Sequence, residues 1–183
     1  MPTLRSTAAA LTLGALTLPA IAHADDGATL LQDAQKAADN CAAVSESCAQ
    51  QMQNAAGVLV FPDVLTVQLG VGGSGGHGVL FVNNQPQGVY DMGRASAGFE
   101  AGIEEASYVF VVTSEDALKQ IEAGEWDLGA EAGLTIVDGA NADADSNADV
   151  YDYVVTARGL DADIAVNVMK IWPSDETLDG TDS

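Results

Sequence analysis

Basic residues are scarce in this 183-residue chain: 6 Lys and Arg stand against 27 acids, a formal net charge of -21. Nucleic-acid binders gain affinity by neutralising phosphates with Lys and Arg, so that class is excluded. Histidine is as rare. Of His23 and His77, the first lies in an N-terminal leader, and His77 alone cannot furnish a multi-histidine zinc site. There is no HExxH and no Ser-His-Asp order. Long apolar runs are also missing beyond residue 24, and none approaches the roughly 20 residues of a spanning helix. What is abundant is apolar residues, 48% of the chain and arranged in regular runs, which sets it apart from acidic disordered sequences. The length gives one domain of ordinary size with a real core.

The start of the chain reads as an address. Arg5 supplies a positive charge, Ala8 to Leu18 form an apolar run, and Ala22-His23-Ala24 has the small-x-small form that signal peptidase reads. Cleavage is expected after Ala24, giving a periplasmic or secreted protein with no transmembrane segment in the mature chain. Losing Arg5 leaves 5 basic against 27 acidic residues, a mature charge of -22. Asp supplies 18 of the 27 acids, and an excess of this kind favours solubility and is a lever of salt-adapted proteins.

Leu30, Ala34, Ala37, Cys41, Val44, Cys48 and Met52 recur at helical spacing, so residues 28 to 54 read as helix, broken into two by a turn near Ser45. From Gly57 the pattern changes to short β-rich runs: 58–61, 66–72, 78–82, 88–92, 95–103 and 108–112. Ser114 caps a helix that buries Ala117, Leu118 and Ile121 and ends at Gly124. Strands resume over 126–137, 149–156 and 160–171. Many of the 19 glycines fall inside strand patterns, where glycine marks a bulge, a tight bend or a close backbone approach. The expected fold is α+β: an N-terminal helical segment packed on a strongly bent antiparallel β-sheet or small barrel, with one inserted helix. Residues 25–172 form the domain and 173–183 an acidic disordered tail.

Several patterns invite chemistry. Cys41 and Cys48 form an even pair in an exported chain. On one unbroken helix they would be separated by about 10.5 Å of rise, too far to bond, whereas a turn near Ser45 brings them together. A disulfide and two buried thiols therefore both stand at this point. Gly70 to Gly75 matches G-x-G-x-x-G with Asp91 beyond, but a strand follows instead of the helix that would hold a pyrophosphate. Asp143, Asp145, Asn147 and Asp149 resemble a calcium loop, yet Ala148 and Val154 occupy the positions that need Gly and Glu. A solvated acidic loop is the plainer reading. Glu104 and Glu105 are a carboxylate pair, but adjacent strand residues point to opposite faces and would not converge on one substrate.

The ordered set of motifs Ala56-Gly57-Val58-Leu59-Val60-Phe61-Pro62, Gly70-Val71-Gly72-Gly73, Ala95-Ser96-Ala97-Gly98-Phe99-Glu100-Ala101-Gly102, Trp126-Asp127-Leu128-Gly129-Ala130 and Asp149-Val150-Tyr151 resembles the SYLF lipid-binding domain family over about residues 30 to 171. That resemblance implies a non-enzymatic binding module without a cofactor. Eukaryotic relatives bind phosphoinositides and associate with actin regulators; bacterial ones are mostly exported envelope proteins. The chain departs from relatives at Glu104 and Glu105 and in its scattered cations Lys36, Arg94, Lys119, Arg158 and Lys170. With so few cations, long-range attraction to an anionic bilayer is excluded, and lipid contact must be apolar or locally cationic. The candidate lipid-binding residues are Leu30 and Leu31 on the first helix and Arg94 near the glycine-rich region. The partner is then a membrane lipid or, in the rival reading, an envelope protein met by a structural module without a lipid ligand.

Overall fold

A computed structural model describes residues 26–128, 134–136, 149–158 and 169–178. The leader 1–24 and the Asp-rich segment 138–148 lie outside the described residues. Helix α1 spans Asp26–Val44 and helix α2 spans Glu46–Gln53. The break falls at Ser45, whose backbone is extended (φ -129, ψ 116) and whose hydroxyl accepts the Cys48 N–H. An extended N-cap cannot continue the preceding helix, so the chain turns there.

The glycine-punctuated region is where the structure departs from the short-strand reading. Strands β1 (Gly57–Val82) and β2 (Gln85–Val112) are single long strands that pair antiparallel along their length. Asn83 and Asn84, at φ 53 and 60, form the two-residue turn between them. Paired positive φ values suit the right-handed twist of a hairpin, and Asn tolerates them. The internal glycines lie in the ladder, opposite strand partners such as Gly75↔Gly93 and Gly76↔Met92. What they permit is curvature. A Cβ at Gly78 would stand 2.6 Å from the Val60 carbonyl oxygen, and one at Gly76 3.1 Å from the Val64 side chain. The two ends of β1 therefore lie alongside each other, and the hairpin is curled nearly closed. Register shifts after Phe61, Leu69 and Leu80 help it bend.

After β2, Ser114 caps helix α3 (Glu115–Glu122), accepting the Ala117 N–H, and Gly124 follows at φ 67. The remaining strands are β3 (Asp127–Leu128), β4 (Leu134–Ile136), β5 (Val150–Arg158) and β6 (Met169–Pro173). Sheet order is β3-β6-β2-β5-β4, with β1 also on β2. All pairs are antiparallel except β4 with β5. The fold is thus α+β, a strongly curled six-stranded sheet with helices packed on it.

Alternation along the strands makes two cores. Leu59, Phe61, Leu80, Tyr108, Phe110, Val154 and Ile171 face inward, where Ala117 and Ile121 of α3 and Trp126 join them. Val58, Val60, Val79, Val109, Val111, Tyr151 and Tyr153 face outward and are covered by Ala34, Ala37, Cys41 and Cys48 of the first two helices. Each such aliphatic or aromatic side chain, fully buried, contributes roughly 1.5–3 kcal/mol, so both faces of the central strands stabilise the fold. As far as Leu178 the chain runs on from β6: Ser174 N–H bonds the Val89 carbonyl, Leu178 packs on the outer core, and its carbonyl approaches Gly27; 179–183 lie outside the described residues. One apolar residue among the acids anchors the segment.

Candidate functional site

The outer face carries the surface features that can receive a ligand. Where α1 and α2 pass over the start of β1 and the hairpin tip, they leave a groove of about 570 Å³. Its apolar side comes from Ala38, Met52, Ala55, Val58 and Phe81; its polar side from the amides Gln35, Gln53, Asn83 and Asn84. Asp39 is the charged residue of the lining. The helix break builds this groove, because it turns α2 so that Met52 lines the same space as Phe81. An apolar floor with a few convergent hydrogen-bonding groups suits a small amphiphile, and the size lies within the range of ordinary ligand pockets.

A second cleft of about 390 Å³ lies towards the start of α1, lined by Thr29, Leu30, Asp33, Pro62, Asp63, Gly75, Gly76 and His77. It is acidic rather than cationic. Lys36, on the adjoining wall, is tied to Asp33 at 2.7 Å. His77 Nδ1 lies 2.7 Å from Asp91 and 3.8 Å from Glu176, linking the hairpin to the segment after β6. Neither cleft gathers the cations that an anionic headgroup requires. Among the described residues, no group of three or more His, Cys, Asp or Glu is placed to hold a metal.

Cys41 and Cys48 stand at disulfide distance, with Cα atoms 6.0 Å apart and both side chains buried against the outer core. The bend at Ser45 supplies the approach that a straight helix denies. Next to the pair, Ser47 and the Tyr153 hydroxyl share a 3.0 Å hydrogen bond that ties α2 to β5. Burial pushes the Tyr153 phenol up, and the Ser47 bond partly offsets this. Removing the crosslink with Cys41→Ser and Cys48→Ser is expected to lower stability by about 2–3 kcal/mol, judged by chemical denaturation. A reductant should produce the same loss in the parent chain and none in the double variant; equal stability with and without reductant would show the bridge absent.

A family model described as Ysc84, Las17-binding protein actin regulator, matches residues 93–178. This is the SYLF domain. The match spans 86 of the 183 residues and is consistent with the SYLF family. No curated protein matches it. The matched stretch begins in β2 at Gly93 and runs through α3, β5 and β6 to Leu178, so it takes in most of the inner core. Helices α1 and α2 and strand β1, which frame both clefts, precede it. No helix of the described residues is long and apolar enough to cross a membrane.

Within this fold the sequence candidates are dispersed. Leu30 and Leu31 are half-buried against the outer core, and Leu30 also lines the acidic cleft. Arg94 pairs through its backbone with Ser74 of β1 and Met169 of β6, one register step from Gly75 on that cleft's wall. Glu104 and Glu105 sit opposite Thr66 and Leu65, successive ladder positions. Of the calcium-like residues, Asp143, Asp145 and Asn147 lie outside the described residues; Asp149 is exposed, and its carbonyl accepts the Thr113 N–H. Gly70 to Gly75 lies within β1, with no helix following it.

Three features escaped the sequence reading. The amide-rimmed groove joins residues from helix, strand and turn, and no linear motif announces it. Leu65 and Val67 are exposed, 49% and 40%, on the outer side of β1 after its bulge. Asp152 is buried inside the barrel. Its signal was present in Val150-Tyr151-Asp152-Tyr153-Val154, where an acid shares a face with two valines.

Proposed function

We propose that this protein is an exported, non-enzymatic module that binds lipid at the cell envelope through apolar contact. The observation that carries the reading is the groove between α2 and the hairpin tip: Met52, Phe81, Val58, Ala38 and Ala55 offer a surface for an acyl chain, and neutral amides a rim for a polar head. The family domain supports it, as a binding module rather than a known enzyme fold. The leader pattern at 1–24 and the paired cysteines support export to an oxidising compartment. With a mature net charge of -22, 5 basic against 27 acidic residues, the protein is repelled by anionic bilayers at low salt, so zwitterionic lipid is the favoured surface.

Liposome flotation of residues 25–183 tests this. Co-flotation with zwitterionic vesicles should persist in molar NaCl, because apolar contact is not screened, and Met52→Glu should reduce it several-fold. No flotation with any lipid, at any salt, would sink the proposal. The half-burial of Leu30 and Leu31 favours a second reading, a protein-interaction module of the envelope without a lipid ligand. In that case the exposed Leu65 and Val67 would be the contact surface, and Met52→Glu would be silent.

A further inference from the structure

Strand β5 places one acid on its inward face. Val150, Asp152 and Val154 alternate there, and both valines belong to the inner core. Asp152 is 1% exposed, and neither carboxylate oxygen has a hydrogen-bond partner among the described residues. Across the ladder it faces Phe110 of β2 on one side and Leu134 of β4 on the other. Among the described residues nothing compensates a negative charge there. Among the described side chains, the titratable groups on the inward face of β2 are the phenols Tyr90 and Tyr108; the charged residues Arg94 and Glu104 lie farther along the strand, paired through the backbone with Met169 and Thr66. On α3 the charged residues Glu115, Asp116, Lys119 and Glu122 are exposed, while Ala117 and Ile121 face the core. Lys170 of β6 and Asp63 of β1 are exposed, Asp91 of β2 is engaged by His77, and β4 carries no ionisable residue. On β5 itself, Tyr151 and Tyr153 point to the opposite face.

An unpaired carboxylate in such a place exists in its neutral form, since charging it would forfeit its hydration. Burial pushes Asp152 up from 3.8 to about 8. The ladder beside it is short: β4 has three residues, is the last strand in the sheet order and, among the described residues, pairs with β5 alone. We propose that Asp152 is a proton-operated latch, closing the β4–β5 edge over the barrel interior while protonated and releasing that edge when the proton is lost. Release lets the carboxylate reach water and uncovers apolar surface around Phe110.

The sign follows from linkage. The closed state holds a proton that the open state gives up at ordinary carboxylate pH. Raising pH from about 5 to about 8 therefore favours opening, by tenfold per unit for one proton. Above about 8 both states are ionised and the dependence levels off. The test is hydrogen exchange of the β4 and β5 amides, corrected for intrinsic rates, on the full mature chain between pH 5 and 9. The parent should lose protection about tenfold per pH unit and then plateau. Asp152→Asn should remove that slope, and Asp152→Leu, which needs no internal hydrogen bond, should remove it too if the amide variant folds poorly. A parallel titration of the Asp152 carboxyl by carbon-13 NMR should show a midpoint well above the ordinary carboxylate range. The latch is overturned if that midpoint is ordinary, if the parent shows no slope, or if a folded variant keeps it.

Discussion

Phe110→Ala should cost about 3–5 kcal/mol and lower Tm by about 10–15 °C, the largest loss expected from one truncation in this protein. Phe110 is fully buried on β2 and joins three other rings. Phe61 meets it edge-on at 6.0 Å, Trp126 edge-on at 5.8 Å, and Tyr108 stacks at 6.3 Å. These contacts tie β1, β2 and the segment after α3 into one cluster, so the cavity left by alanine cannot collapse without moving a strand. Trp126 provides the readout. It is 9% exposed against 38% for Trp172, and opening the ring cluster should shift its emission to the red before global unfolding. Leu65→Ala, on an exposed side chain of β1, is the control and should stay within about 0.5 kcal/mol. A Phe110→Ala loss below about 1 kcal/mol would mean the barrel interior is not packed as described. Because the groove lies on the other face of the sheet, the folded fraction of this variant should still float with vesicles.

Local chemistry made much of this architecture legible. Ser45 reads as a helix start because a hydroxyl there can accept a free N–H, and the break falls at that residue. Ser114 is read the same way. The β-rich apolar runs at 58–61 and 108–112 mark strands irrespective of what covers them. What could not be read locally depends on contacts distant in sequence. The glycines at 70–76 look like turns because a run of small residues gives the same pattern in a hairpin and in a bent strand; only the close approach of Val60 and Val64 to Gly78 and Gly76 distinguishes the two. Asp152 looks like a solvent-facing acid, since one face of an antiparallel strand is commonly wet. Here α1 and α2 cover the outer face and α3 fills the inner one, so neither face of β5 is left to water. Leu30 and Leu31 illustrate the same limit: a helical stripe tells which side is apolar, but not that the sheet beneath reaches far enough to half-bury its second turn.

Gly78→Ala is the second large effect, and it tests the curl of the barrel rather than its filling. An added Cβ would lie 2.5 Å from the Phe61 ring and 2.6 Å from the Val60 carbonyl oxygen. The ring could rotate slightly, but the carbonyl belongs to the β1 ladder with β2, where Val60 pairs with Val109. Moving it would pull Leu59 and Phe61 out of the inner core and Val58 and Val60 out of the outer one. The cost should therefore reach or exceed the upper end of the 1–3 kcal/mol usual for overpacking, about 6–12 °C in Tm. Gly88→Ala is the matched control: its nearest neighbour is a Tyr90 ring carbon at 3.9 Å, an ordinary contact, and removing chain freedom in the unfolded state should leave stability unchanged or slightly raised. If both variants were equally stable, the two ends of β1 would not lie side by side, and the groove that depends on bringing Phe81 and the hairpin tip back to Val58 and Met52 would lose its physical basis. If Gly78→Ala alone is destabilised, flotation of its remaining folded fraction then separates the roles of curl and groove. Loss of lipid binding out of proportion to lost fold would place the ligand where the two ends of β1 meet beneath the helices.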